Sequence, residues 1–219
     1  MVRVALYQSR TGIDPKASAR ELACIVEQAA NEGAAMLFTP EMSGVLDGNR
    51  DRSAKSVVSE ADDQVLESVC EAARRTGVWV HLGSLALRVD DSGRFVNRGF
   101  VIDANGEIRG RYDKIHLFDV DLPTGESWRE SASYRGGDKA VVVRGTPVGD
   151  LGLAICYDLR FPALFERLSE AGAQTIRAAV DLAFGRGQVR SWDIGGNDGT
   201  GTVAEAVAEI IRSGEVDPA

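Results

Sequence analysis

The sequence predicts an α/β protein in which helices cover a mostly β-stranded core in layers. Short apolar runs rich in β-branched and aromatic residues predict strands. Longer segments with apolar residues at three- and four-residue spacing predict helices. The predicted elements follow the order β-α-β-α-β-β-β-β-β-α, which mixes strand hairpins with helices. This order indicates a layered α/β fold rather than repeated βαβ winding.

Turn and capping residues separate the predicted elements. Gly33 and Gly77 stand where a glycine ends a helix, and Asn105-Gly106 is a strong hairpin signal. In chain order the predicted elements are a strand at residues 2–8, a helix at 17–33, a strand at 35–39, a helix at 62–76, strands at 78–87, 95–102, 107–112, 141–144 and 151–156, and a helix at 161–172.

The composition is that of an ordinary globular protein and excludes several classes. Of 219 residues, 44% are hydrophobic, 26% charged and 6% aromatic, which excludes collagen-like, disulfide-dense and disordered chains. The formal net charge of -8 argues against a nucleic-acid partner, whose binding requires a basic patch. No window approaches the roughly 20 apolar residues of a membrane span, so no membrane association is expected.

The cysteines and the N-terminal segment bear on the cellular compartment. Cys24, Cys70 and Cys156 are an odd number without CxxC spacing, so neither a disulfide framework nor a structural zinc site is predicted. The segment MVRVALYQSR lacks the apolar stretch of a secretory signal. A cytoplasmic protein is therefore expected.

Three short segments carry a reactive side chain just after an apolar strand. These side chains are Glu41 in FTPE, Lys114 in RYDKIH and Cys156 in LAICYDLRFP. This combination of side chains suits acyl transfer. The carboxylate can remove the thiol proton, the resulting thiolate can attack a carbonyl or nitrile carbon, and the ammonium can stabilise the oxyanion that forms. Each residue alone also has a structural interpretation, as a strand-end carboxylate, a solvated lysine or a small buried cysteine.

The stretch from Val2 to Gln174 resembles the nitrilase superfamily of carbon–nitrogen hydrolases, in particular its amidase branch. TPEM, YDKIHLFDVDLP and GLAICYDLRFP are similar to its three catalytic segments. The resemblance implies an α-β-β-α sandwich, a homodimer joined through its α faces, a small linear amide as substrate, and neither a cofactor nor a metal. The branch is similar to enzymes that hydrolyse deaminated glutathione or ω-amides of keto acids.

The same resemblance implies roles for individual residues. Glu41 is implied as the general base, Lys114 as the oxyanion-stabilising cation and Cys156 as the nucleophile. Glu130, in WRES, stands where the family places a second glutamate that positions the lysine and the substrate. The implied reaction passes through a thioester acyl-enzyme, releases ammonia and ends with hydrolysis by water that Glu41 activates.

The residues after the nucleophile are further candidates for substrate binding. The backbone N–H groups of Tyr157, Asp158 and Arg160 are candidates for an oxyanion site, and their side chains are equally candidates for fixing the turn. His116 shares a face with Lys114 if that segment is a strand, with a structural role as the alternative. The polar segment 118–129 is interpreted either as a substrate-facing loop for an acidic amide or as a solvated loop.

Beyond residue 174 the sequence departs from this family. The predicted domains are a carbon–nitrogen hydrolase domain at 1–174, truncated after the nucleophile, and a tail at 175–219 that forms a helical hairpin. Residues 175–214 resemble the C-terminal end of the isopropylmalate/tartrate-type dehydrogenases. Two functions therefore stay open: an active amidase, or an inactive truncated or fused remnant that retains dimerisation or ligand binding. An oxidoreductase is suggested by the tail alone.

Overall fold

A five-stranded mixed sheet lies at the centre of the fold. The computed structural model describes residues 2–90, 93–121, 125 and 127–174. Strands β1, β2 and β3 are parallel, β4 is antiparallel to β3, and β5 is antiparallel to β4, in the spatial order β1-β2-β3-β4-β5. The strands and helices are β1 (Val4–Leu6), α1 (Pro15–Asn31), β2 (Met36–Phe38), α2 (Arg50–Ser53), α3 (Gln64–Thr76), β3 (Trp79–Arg88), β4 (Phe95–Ile102), β5 (Ile108–Asp113), β6 (Asp119–Asp121), β7 (Ser127–Arg129), β8 (Val142–Thr146), β9 (Gly149–Gly152) and α4 (Pro162–Glu170).

Side-chain caps fix the ends of the two long helices. The Asp14 carboxylate accepts the backbone N–H of Lys16 at the start of α1, and Asp63 accepts two backbone N–H groups at the start of α3. These bonds satisfy donors that an uncapped helix leaves without a partner. Gly33 and Gly77 both adopt a φ of 75°, the left-handed conformation that a glycine takes readily at a helix end. The capping signals predicted for both helices are confirmed.

The sheet is buried on both faces, because strand residues alternate between two hydrophobic clusters. Helices α1 and α3 pack together against one face, where Val26 and Val69 are completely buried. The hairpin β8–β9 and helix α4 contribute to the cluster on the other face, which contains Met36 and Val101 of the sheet. The predicted layered α/β fold is confirmed.

Two predictions near the functional residues need correction. The predicted strand 151–156 ends earlier, since β9 spans Gly149–Gly152 and Cys156–Arg160 forms a 3-10 turn. The segment 118–129, predicted as a loop, contains the hairpin β6–β7, and a 3-10 turn follows it at Glu130–Ala132. Both short strands are mostly exposed, so they lack the apolar periodicity from which a strand is predicted.

The predicted tail, residues 175–219, lies outside the described residues. The helical hairpin predicted there, and the segment 175–214 that resembles a dehydrogenase, therefore stay predictions. Within the described ranges, no helix combines the length and the apolar character needed to cross a membrane.

Candidate active site

The topology brings the ends of several strands to one edge of the sheet. Strands β2 and β5 run in the same direction, because two antiparallel pairings separate β5 from β3, which is parallel to β2. Glu41 follows β2 and Lys114 follows β5, so both residues lie where these strands end. The antiparallel strand β4 begins at the same edge, and Asn97 is its third residue. Residues far apart in sequence therefore meet here.

Lys114 is buried between two carboxylates. Its Nζ lies 3.0 Å from Glu41 Oε1 and 2.9 Å from Glu130 Oε2, while its side chain is only 2% exposed. Burial lowers the pKa of Lys114, but the two carboxylates together outweigh burial and raise the pKa above its ordinary value. The ammonium is therefore charged at neutral pH, and the three groups together carry one net negative charge.

Asn97 is a member of this cluster that was not predicted. Its Nδ2 donates to Glu41 Oε1 at 2.7 Å and approaches Glu130 Oε1 at 3.4 Å. Its backbone carbonyl accepts the backbone N–H of Lys114 at 2.9 Å. The available signal was the asparagine that precedes Arg98 inside the otherwise apolar run FVNRGFVI, because a buried polar side chain in a strand requires a hydrogen-bond partner.

The turn that carries Glu41 is fixed from strand β3. Met42 adopts a φ of 54°, and its backbone N–H donates to Ser84 Oγ at 2.9 Å. Ser84 is completely buried and lies at an irregularity in the pairing of β3 with β4. Gly83 donates its backbone N–H to Thr39 Oγ1 at 3.0 Å. These bonds hold the backbone on both sides of Glu41.

The turn that carries Cys156 is held by a buried carboxylate. Cys156 has a φ of 47°, a left-handed conformation that a non-glycine residue keeps only where its surroundings enforce it. Asp158 is completely buried, and its Oδ2 accepts the Tyr112 hydroxyl at 2.7 Å and the Ile155 N–H at 2.9 Å. Its Oδ1 accepts the backbone N–H of His116 at 3.0 Å and the ring Nδ1–H at 2.7 Å.

These contacts separate the candidates that follow the nucleophile. The backbone N–H of Asp158 donates to the Ile155 carbonyl, so neither this N–H nor the carboxylate is available to a substrate. The prediction that Asp158 binds substrate is therefore corrected to a structural role. The His116 ring stacks on Phe161, with ring centroids 3.7 Å apart, which agrees with its structural alternative. Tyr157 packs edge-on against Phe118.

Four predicted residues share one cavity of about 320 Å³. Glu41, Lys114, Glu130 and Cys156 all line it, whereas Tyr157, Asp158 and Arg160 do not. Its walls are largely apolar and come from the segments that follow β2 and β5. The main apolar lining residues are Met42, Leu46, Phe95, Phe118, Trp128 and Tyr134. Such a cavity, apolar with a few converging polar groups, is typical of a small-molecule site.

The Cys156 thiol is protonated in this environment. Burial and then the Glu41 carboxylate raise its pKa from 9.0 to about 11, and the opposing effect of Lys114 is smaller. A neighbouring lysine favours a thiolate, but here burial and the nearby carboxylate outweigh it. Attack by Cys156 therefore requires a base that takes the thiol proton, and Glu41 lines the same cavity and lies close enough to the thiol to raise its pKa.

The described part of the segment 118–129 contributes three residues to the cavity wall, although its two short strands are mostly exposed. Phe118, Trp128 and Arg129 line the cavity. The Arg129 guanidinium pairs with Asp121 across the β6–β7 hairpin, at 2.7 Å. Burial, with the charges of Glu130 and Glu41, raises the pKa of the cavity residue Tyr134 to about 12.

The other two cysteines lie on helices, outside the cavity. Cys24 lies on α1 and is exposed, and Cys70 lies on α3, where burial raises its pKa to about 11. Among the described residues, no three His, Cys, Asp or Glu side chains are arranged to hold a metal ion.

Comparison with known proteins identifies the family. The sequence model of the carbon-nitrogen hydrolase family matches residues 3–193, a match that continues past residue 174. Deaminated glutathione amidase of Yersinia enterocolitica is 36% identical over 183 residues, which are 83% of this chain and 62% of that protein.

Solved structures agree with this match. The C. elegans NitFhit protein has 29% identity and a TM-score of 0.68, covering 84% of this chain and 47% of that chain. An amidase from Nesterenkonia sp., at 24% identity, shares the fold with a TM-score of 0.64, covering 79% of this chain and 62% of that chain. The chain spans less than two thirds of the length of each of these proteins. The predicted nitrilase-type fold is confirmed, and the chain belongs to the carbon-nitrogen hydrolase family.

Proposed function

We propose that this protein is an amidase that hydrolyses the carbon–nitrogen bond of a small linear amide through a thioester on Cys156. The observation that carries the proposal is the cavity lined jointly by Cys156, Glu41, Lys114 and Glu130, with Nζ of the lysine 3.0 and 2.9 Å from the two carboxylates. Family membership and an amidase relative at 36% identity support the same chemistry.

In the first half of the proposed reaction, Glu41 removes the Cys156 thiol proton as sulfur attacks the amide carbon. A carbon–sulfur bond forms, and the carbonyl oxygen becomes an oxyanion that the Lys114 ammonium stabilises. The backbone N–H of Tyr157, next in the chain to the nucleophile, is the proposed second donor to this oxyanion. Glu41 then gives its proton to the leaving nitrogen, the carbon–nitrogen bond breaks, and ammonia departs.

In the second half, water replaces ammonia beside the same base. Glu41 takes a proton from water as the water oxygen attacks the thioester carbon. The carbon–sulfur bond then breaks as Glu41 passes that proton to sulfur, which regenerates the thiol and the carboxylate. Glu130 holds the lysine between the two carboxylates throughout, since its Oε2 also accepts the backbone N–H of Phe118 at 2.6 Å. The products are a carboxylic acid and ammonia, and none of these steps uses a cofactor.

The test replaces the nucleophile and a cysteine outside the cavity. Ammonia release from deaminated glutathione, the substrate named for the relatives, and from simpler primary amides is measured for wild type, Cys156→Ala and Cys24→Ala. Cys156→Ala should abolish release, because no thioester forms, whereas Cys24→Ala should match wild type, because Cys24 is exposed on α1. Equal loss in both variants contradicts the assignment.

Intact-mass measurement separates an active enzyme from an inactive remnant. Mixing wild type with amide and quenching within milliseconds to seconds should show a mass increase equal to the acyl group, absent in Cys156→Ala. A protein that binds amide without acquiring this mass is the inactive remnant named as the alternative. Light scattering tests the proposed homodimer, and fractionation of cells tests the proposed cytoplasmic location, which three free cysteines support.

A further inference from the structure

Asn97, near the start of β4, contacts three residues of the candidate site: Glu41, Lys114 and Glu130. Its side chain approaches both carboxylates and its backbone carbonyl holds the backbone of Lys114. We propose that Asn97 is a positioning residue that, with Lys114, occupies Oε1 of Glu41 and thereby assigns the proton transfer from Cys156 to Oε2. This inference deepens the proposed function and rests on it.

Each oxygen of the Glu41 carboxylate can accept only a limited number of hydrogen bonds. A carboxylate oxygen has two lone-pair sites. Oε1 accepts the Asn97 amide at 2.7 Å and the Lys114 ammonium at 3.0 Å, so both of its sites are occupied. A proton that arrives from the Cys156 thiol must therefore go to the other oxygen. Two donors on one oxygen also fix the rotation of the carboxylate, so Oε2 keeps one direction.

The Asn97 amide is in an unusual state. Asn97 is 1% exposed, and its Oδ1 is buried without a hydrogen-bond partner among the described residues. Rotating the amide by 180° would turn this oxygen toward the oxygens of Glu41 and Glu130, which repel it. The amide thus faces the carboxylates although its carbonyl stays unsatisfied. A leucine would fill the same position without that penalty, so fold stability alone does not explain the asparagine.

The charges around position 97 favour a neutral donor. The cluster already holds two carboxylates and one ammonium, and the carboxylate nearest the thiol opposes its ionisation. An amide supplies a donor to Glu41 without altering this balance. An aspartate at position 97 would have nearly the same shape but would remove the donor and add a negative charge. A lysine would add a positive charge and compete with Lys114 for the same carboxylates.

Two variants separate the loss of the donor from the added charge. Asn97→Leu removes the donor, and we expect kcat to fall about 10- to 100-fold while KM stays within twofold, because the general base stays in place and loses only part of the roughly 100- to 10,000-fold that such a base contributes. Asn97→Asp is nearly isosteric and should lose more activity, about 100-fold or greater, since the donor is gone and the thiol is harder to ionise. Thr146→Val is the matched control, because it also loses a buried side-chain hydrogen bond, outside the cavity.

The experiment has a readout that needs no substrate. Alkylation of Cys156 by iodoacetamide from pH 7 to 10, measured by peptide mass spectrometry that separates Cys156 from Cys24 and Cys70, reports how easily the thiol ionises. Asn97→Asp should react at Cys156 about tenfold more slowly than wild type. Unfolding midpoints from tryptophan fluorescence establish that both variants are folded. If wild type releases no ammonia, the proposed function fails while the alkylation result still decides the role of Asn97. Wild-type alkylation by Asn97→Asp, or wild-type kcat in folded Asn97→Leu, overturns the inference.

Discussion

Replacing Asp158 by asparagine tests whether this buried carboxylate holds the turn of the nucleophile. Each of its two oxygens accepts two hydrogen bonds, from Tyr112 and Ile155 at one oxygen and from two groups of His116 at the other. The asparagine amide presents an NH₂ group in place of one of these oxygens. In either orientation, one backbone donor, that of Ile155 or of His116, then faces another donor, whereas the Tyr112 hydroxyl and the His116 ring nitrogen can turn into acceptors.

The expected loss of stability follows from that count. A hydrogen bond to a charged group contributes roughly 1.5–3 kcal/mol, and leaving a buried donor without an acceptor adds its own cost. One such bond lost at a completely buried site, with its donor left unpaired, therefore corresponds to about 3 kcal/mol. The total stability of a folded protein is only about 5–15 kcal/mol, so the variant should lose a large share of it. Cys156, two residues away, should also lose activity.

Urea unfolding followed by far-UV circular dichroism and tryptophan fluorescence measures this loss. Coincident transitions by both probes are required before a free energy is assigned. Asp121→Asn is the control, since Asp121 is an exposed carboxylate paired with an exposed arginine, and its unfolding midpoint should equal that of wild type. A free energy of unfolding within about 1 kcal/mol of wild type would refute the structural role of Asp158. It would mean that the backbone N–H groups of Ile155 and His116 are both satisfied without the carboxylate.

Two further predictions concern strand β3. Burial lowers the pKa of His81 from 6.5 to about 4, so between these pH values the unfolded chain binds a proton that the folded protein does not. The contribution of His81 to the free energy of unfolding should therefore fall by about 2 kcal/mol as the pH is lowered from 7.5 to 5. His81→Asn should reduce the pH dependence of urea unfolding by that amount. An unchanged pH dependence contradicts the lowered pKa of His81. Gly83→Ala should lower both the unfolding midpoint and ammonia release, because a methyl group there overlaps the carbonyl oxygens of Thr39 and Pro40 in the turn before Glu41. Gly12→Ala, with no atom within 4 Å of its added methyl group, should leave both unchanged, and equal effects in the two glycine variants would show that the overlap is relieved elsewhere.

Elements with strong local signals were predicted closely. Strand β4 has the predicted bounds of 95–102, and α3 ends beside Gly77 as predicted. Apolar alternation and a glycine in the left-handed conformation are properties of a few neighbouring residues, so the sequence displays them directly. The hairpin β6–β7 was missed because its strands pair with each other in solvent, and hydrophobic pattern carries no information about such pairing.

The candidate site was predicted only in part for a related reason. Glu41, Lys114 and Cys156 were found because motifs and family resemblance mark them. Asn97 and the structural role of Asp158 depend on contacts between residues 42 to 56 positions apart in the chain, which topology alone creates. Periodicity cannot reveal which buried polar side chains face one another across two antiparallel pairings.

The raised pKa of the Cys156 thiol has a consequence for how long the protein keeps its reactive group. With a pKa of about 11, roughly one molecule in ten thousand carries the thiolate at pH 7. Peroxides and other oxidants attack the thiolate rather than the thiol, so the Cys156 sulfur is oxidised slowly although the residue as a whole is exposed. In the proposed reaction the carboxylate beside the sulfur thus has two roles: together with burial it opposes ionisation while the cavity is empty, and it accepts the proton when an amide arrives.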